Sequence, residues 1–213
     1  MARDGLLWVL VPLVVALAAA LSGYWLVAIP FFLLAAFMAY FFRDPRRTSP
    51  PEENLVVSPA DGRVTRIEKL STNESEPIGE THATTVVSIF LSPFDVHINR
   101  APIAGEIVDV TYTKGKFMIA TRDEASLINE QNALTIRGRH ATVVCKQIAG
   151  VLARRIVCWK QKGDRLALGE RFGLIKFSSR TDLVLPPEVE VLVDVGQRVR
   201  GGVSIIGRIR DDS

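Results

Sequence analysis

The 213-residue chain is poor in the side chains that carry metal and redox chemistry. It has two cysteines, Cys145 and Cys158, and three histidines, His82, His97 and His140. The cysteines lack metal-ligand spacing, which argues against a zinc site and for free thiols acting as small core residues. There is no P-loop, no dinucleotide-binding glycine fingerprint and no nucleophile elbow in a Ser-His-Asp order. Basic residues form no stripe interleaved with aromatics, and the net charge is only +3. Nucleic acid is therefore not an expected partner. No heptad pattern is sustained, which argues against an adaptor built on a long coiled coil.

What the chain does have is a stretch without charge, residues 5–42. It is too long for one ordinary membrane span and suits two short ones. Ser22-Gly23 is the natural break between Leu6–Leu21 and Tyr24–Phe42, with Pro12 and Pro30 inside the segments, where kinks are tolerated. A cleaved signal peptide fits less well, because a second apolar segment follows at once and Arg43-Asp44-Pro45-Arg46-Arg47 stops it. One tilted helix plus an interfacial segment is the alternative. Arg3 at one end and Arg43, Arg46 and Arg47 at the other place both flanks in the cytoplasm by the positive-inside rule. The same arginines suit anionic headgroups, although a topology signal alone explains them. The expected organisation is a transmembrane helical hairpin over 1–42, a Pro- and charge-rich linker over 43–54, and a β domain over 55–213 facing the cytoplasm from the inner membrane.

Beyond the linker the pattern is short strands punctuated by glycine. "LVVSPADGRVTRIEKL" predicts two strands around a Pro-Ala-Asp-Gly turn, and "TTVVSIFLS" a strand buried on both faces. Helical signal is confined to "RDEASLINEQN", residues 122–132. "GDRLALGERFG" (163–173) echoes "GQRVRGGVSIIG" (196–207), with Gly163 matching Gly196 and Gly169 matching Gly202. Such strands resemble the hammerhead pieces of barrel-sandwich hybrids, the lipoyl- and biotinyl-carrier style of fold. The cofactor-bearing Lys tip of those carriers is missing, so a carrier role is disfavoured. The fold class expected is mostly β, barrel-sandwich-hybrid-like, with an N-terminal hairpin.

"IKFSSRTDLVLP" (175–186) reads as one strand with two adjacent hydroxyls. Alternation puts Ser179 with Ile175, Phe177, Thr181, Leu183 and Leu185 on the apolar face, and Ser178 with Arg180 and Asp182 on the other. A hydroxyl on a buried face needs a partner or costs about 1–3 kcal/mol. Ser179 is therefore either a strand-end serine bonded to a carbonyl or a held nucleophile. His97 stands where an apolar strand ends, among Asp95, Asn99 and Arg100, and reads either as a packing histidine or as a functional one. His82 and His140 sit in polar turns. Asp61 precedes Gly62, an ordinary turn pair. The residues alone do not choose between these readings.

"SPADG", "SPFDVHINRAPIAG", "KGKFMIATRDEASLINEQN" and "RFGLIKFSSRTDLVLP", in this order, resemble the phosphatidylserine decarboxylases of the short, membrane-anchored kind, over Phe42 to Ile209. The resemblance implies a proenzyme that cuts itself between Ser178 and Ser179 into a β chain (1–178) and an α chain (179–213). Ser179 would become an N-terminal pyruvoyl group, which forms a Schiff base with the substrate amine, so that neither pyridoxal phosphate nor a metal is needed. It also implies a role for Asp61 in self-cleavage and for His97 as acid and base. Implied partners are phosphatidylserine in the bilayer and the two chains of one precursor, with a homo-oligomer left open. Two positions depart from the family pattern. Arg100 stands where longer members have a second His, and Ser178 stands where the family usually has Gly. The second departure leaves an uncut or inactive phosphatidylserine-binding relative as the alternative.

Overall fold

The computed structural model describes residues 2–70, 84–116, 118, 128–150, 155–176 and 179–210. The chain divides into two compact units, residues 1–46 and 47–213. In the first, helix α1 (Leu6–Leu21) and helix α2 (Trp25–Phe41) are joined by a tight turn at the expected break, where Gly23 takes φ +82°. Ala16, Ala28 and Ala35 are buried, small residues that let helices approach closely, while Leu7, Leu21 and Leu26 are exposed. The Ala2 N–H donates to the Phe42 carbonyl at 3.0 Å, tying the two ends of the hairpin. Among the described residues no helix is long and apolar enough to cross a membrane.

The second unit is mostly β. Its strands are β1 (Leu55–Val57), β2 (Gly62–Leu70), β3 (Thr84–Leu91), β4 (Ile98–Arg100), β5 (Gly105–Thr113), β6 (Gln131–Arg137) and β7 (Thr142–Ala149). There follow β8 (Ile156–Cys158), β9 (Arg165–Leu166), β10 (Arg171–Ile175), β11 (Ser179–Leu185), β12 (Val189–Val191), β13 (Arg198–Val199) and β14 (Ile205–Ile209). One sheet has eight strands in the order β13-β2-β3-β11-β7-β6-β5-β9, flanked by three-stranded sheets β1-β14-β12 and β4-β10-β8. Val64, Ile89, Leu91, Ile107, Leu134, Ile136, Leu183 and Leu185 supply much of the core, with Cys145 among them. Neither cysteine is bridged, and Cys158 packs against this core.

The strand order reads the same from both ends under an exchange of halves. Strands β1, β2, β3, β12, β13 and β14 correspond to β4, β5, β6, β8, β9 and β10, and β11 corresponds to β7. Registers repeat as well. Arg63 opposite Phe90 matches Glu106 opposite Arg137, and both pairings carry a register shift at the same place. The centre of the exchange is the pair Leu183 and Cys145. The sequence echo is the visible trace of this duplication. Gly169 and Gly202 both take left-handed φ, +71° and +75°, and a Cβ built on either comes within 3.4 Å of the other's Cα, so the two turns meet where side chains do not fit.

Two expectations are corrected and one is refined. Residues 175–186 are not one strand: β10 ends at Ile175 in a three-stranded sheet and β11 begins at Ser179 in the eight-stranded one. The two strands expected around the Pro-Ala-Asp-Gly turn are present, but they do not pair with each other: β1 pairs with β14 while β2 pairs with β3 and β13. The helix expected over 122–132 does not reach its end, since Gln131 and Asn132 open β6; residues 122–127 lie outside the described residues. Local alternation is satisfied by either sheet, so it does not specify which strand a segment pairs with.

Candidate active site

Ser179 opens β11 between Leu91 of β3 and Ala149 of β7. It is fully buried, and among the described residues its Oγ has no hydrogen-bond partner. Its face is the core face, shared with Leu183 and Leu185 as alternation requires. The opposite face of β11 is buried too. Arg180 and Asp182 form an ion pair there, with Nε to Oδ1 at 2.6 Å and Nη2 to Oδ2 at 2.7 Å. Ser178 and His82 lie outside the described residues.

His97 is buried immediately before β4. Its Nδ1 is 3.0 Å from the Asp95 carbonyl oxygen, which makes Nδ1 the protonated nitrogen of the neutral ring. The Asp95 carboxylate accepts from the Ser92 N–H at 2.8 Å and the Ser92 hydroxyl at 2.6 Å, fixing the turn that carries the ring. The Ile175 N–H donates to the His97 carbonyl at 3.3 Å. His97 thus stands at the end of β10, four residues before Ser179, a chain span of at most ~14 Å.

Asp61 directly precedes β2. Its row in the sheet lies one position beyond that of Ser179, with β3 between, which puts the two backbones about 10 Å apart. Arg47 Nη1 donates to Asp61 Oδ1 and Nη2 donates to Oδ2 at 2.7 Å, while the Gly201 N–H donates to Oδ1 at 2.8 Å. Arg47, which as a sequence reads only as a membrane-flanking charge, is therefore the partner of Asp61. In the duplicated half the equivalent of Asp61 is Ala104. That turn still closes, with Gly169 N–H donating to the Ala101 carbonyl at 2.9 Å as Gly202 N–H does to Ser58 at 2.7 Å. The turn does not need the carboxylate.

His140 falls elsewhere. It is exposed in the β6–β7 turn, and β7 separates that turn from Ala149, beside Ser179, by about 24 Å. Among the described residues no cluster of His, Cys, Asp and Glu has the arrangement of a metal site. Ser179 and His97 therefore come together at one sheet junction, with Asp61 at the same sheet end but engaged to Arg47. Asn99, Gln147 and Thr181, whose polar atoms are buried beside this junction, carry no motif that singles them out in sequence.

The model of the phosphatidylserine decarboxylase family matches residues 34–207. A phosphatidylserine decarboxylase proenzyme of Solibacter usitatus is 51% identical over 196 residues, covering 92% of this chain and 90% of its own length. Those of Carboxydothermus hydrogenoformans and Symbiobacterium thermophilum are 46% and 47% identical over 212 and 211 residues, covering 99% and 98% of this chain and 97% and 95% of their own lengths. A buried serine whose hydroxyl has no partner among the described residues, at the point where the chain changes sheets, is thus found in a chain that belongs to the phosphatidylserine decarboxylase family.

Proposed function

We propose that this chain cuts itself between Ser178 and Ser179 and then converts phosphatidylserine to phosphatidylethanolamine and CO2. The observation that carries the reading is the fully buried Ser179 Oγ, unpartnered among the described residues, in a chain with proenzyme relatives of nearly its own length. In self-cleavage, Oγ adds to the Ser178 carbonyl carbon. The amide C–N bond breaks and an ester forms. Loss of the Ser179 α-proton expels the Ser178 carboxylate. The dehydroalanine left at 179 takes up water and releases ammonia, which leaves a pyruvoyl group. Burial of the position limits hydrolysis of the ester before the elimination.

The pyruvoyl group supplies an electrophilic carbonyl for the substrate amine and an electron sink as CO2 departs. His97 then works through Nε2, because the Asp95 carbonyl occupies Nδ1. Nε2 first takes the proton that the substrate ammonium gives up on forming the Schiff base and then returns it to the substrate carbon, as a positioned base and acid does. Asp61 is assigned to cleavage and not to turnover. Support comes from its place one row beyond Ser179 and from a turn that closes without a carboxylate in the other half.

The β unit is read as a barrel-sandwich hybrid, supported by the duplicated sheet with its two three-stranded flanks. The helical hairpin is read as an inner-membrane anchor that leaves the β unit in the cytoplasm. Support comes from the charge-free stretch and the exposed leucines. Helices of 16 and 17 residues are each about 25 Å long, short of a core of about 30 Å, so the hairpin relies on its flanking residues to complete the span. Intact-mass measurement of the purified protein tests the reading. Fragments 1–178 and 179–213, the latter with a blocked N-terminus, are expected. A single full-length chain after long incubation, with no decarboxylation, would defeat it.

A further inference from the structure

The junction between the small sheet and the large one holds a chain of buried amides. Asn132 Nδ2 donates to Gln147 Oε1 at 3.0 Å, Gln147 Nε2 donates to Asn99 Oδ1 at 2.9 Å, and Asn99 Nδ2 donates to Thr181 Oγ1 at 3.0 Å. Asn99, Gln147 and Thr181 are fully buried. The Pro59 carbonyl lies 3.5 Å from Asn99 Nδ2 and accepts from the Arg100 N–H at 2.9 Å. Asn99 therefore touches the turn that carries Asp61, stands two residues from His97, and bonds the strand that begins with Ser179. Gly173 makes room for this. A Cβ there would come 3.0 Å from Gln147 Nε2 and 2.3 Å from the Val157 carbonyl oxygen.

The duplication supplies an internal control. The registers make Val56 the counterpart of Asn99, Val143 that of Thr181 and Leu185 that of Gln147. All three are fully buried and belong to the apolar core. The same three positions thus fold with purely apolar contacts at the matching junction, at the other end of β7 and β11 from Ser179. The fold has no general need for amides there, and buried polar groups are costly unless paired.

We infer that Asn99, Gln147 and Thr181 are positioning residues for the reaction at Ser179. They pin β11 by Thr181, two residues along the same face, and leave Ser179 Oγ unengaged for attack. Such hydrogen bonds have direction, which apolar packing lacks, and so they set where the start of the strand lies relative to the preceding carbonyl. The inference rests on self-cleavage at 178/179.

The test is to install the residues of the matching junction, Asn99→Val with Gln147→Leu and Thr181→Val, in the full chain. Thr181→Val and Thr181→Ser are made singly. Melting temperature and the half-time of cleavage are followed by mass spectrometry. Thr181→Val is expected to melt within a few degrees of the parent and to cleave about 10–100-fold more slowly, the scale of a misplaced reacting group. Thr181→Ser, which keeps the hydroxyl, is expected to restore cleavage to within about twofold of the parent, on the same positional argument. The triple variant is expected to stay folded and to cleave as slowly as Thr181→Val or more so. Parental cleavage rates in a folded Thr181→Val or triple variant would overturn the inference. So would slowing in Thr181→Ser equal to that in Thr181→Val. If the triple variant does not fold, the two single variants decide. An uncut parent would instead overturn the self-cleavage reading, and the positioning role with it, a result distinct from a cut parent with cut variants.

Discussion

Asp61 and Arg47 lead to opposite expectations when each is changed singly. If the carboxylate promotes cleavage, Asp61→Asn leaves an uncut chain, slowed by roughly 10²–10⁴-fold as for loss of a positioned proton acceptor. Arg47→Met releases the same carboxylate and is expected to keep cutting. If both variants stop cutting, the ion pair itself is what matters. His97→Ala is expected to cut but to lose turnover by roughly 10²–10⁴-fold. A cut His97→Ala protein with near-parental decarboxylation would take His97 out of the mechanism. Glu170 gives a pH expectation. Burial works to raise its pKa, but Lys160, donating from Nζ at 2.6 Å, and the Ala167 N–H at 2.9 Å outweigh it and hold it below the ordinary 4.5. A carboxylate held low stabilises the fold above its unfolded value and loses that contribution as pH falls through its folded value. Glu170→Gln is therefore expected to lower stability modestly at pH 7, where the contribution is fully present, and to flatten the acid side of the stability curve below about pH 4.5.

On the proposed reading, the switch from β10 to β11 is the element on which processing depends. The chain leaves one sheet after Ile175 and enters another at Ser179, so the scissile bond lies between two strands fixed by different partners. A bond inside a continuous strand would have its carbonyl committed to the ladder of a neighbouring strand. Ser178→Gly, which widens the backbone's choice at this switch, is expected to shorten the cleavage half-time measured by mass spectrometry. The close approach of β10 to β8 is equally specific. Gly173→Ala drives a Cβ against the Val157 carbonyl and is expected to cost about 1–3 kcal/mol in denaturant unfolding, as overpacking does.

At the scale of the whole molecule, two units have separate tasks. The β unit has its own core and its own candidate site, all within residues 47–213. A protein lacking residues 1–46 is expected to fold, to cut itself, and to act on a dispersed short-chain substrate better than on bilayers. On the proposed reading the hairpin raises the local concentration of lipid and does no chemistry. Equal loss on both substrates would show that the hairpin shapes the site. Within the β unit the duplication divides labour as well. One junction between the halves keeps an apolar trio, Val56, Val143 and Leu185, where the matching junction has Asn99, Gln147 and Thr181, and the turn with Ala104 mirrors the one with Asp61.

Sequence alone determined the helical pair, because a charge-free stretch broken by Ser22-Gly23 admits few other structures. It determined the mostly β character and the inward face of Ser179, because alternation and glycine punctuation are local signals. Four ordered motifs identified Ser179, His97 and Asp61 as candidates, and motifs are local too. What only the tertiary structure decided were the partners. That 175–186 splits between two sheets, that Arg47 belongs to Asp61, and that Asn99, Gln147 and Thr181 form one chain of bonds are facts about residues 14 to 82 positions apart. Alternation tells each side chain which face it takes but not which strand it will face, since that is settled by the burial of the whole core at once.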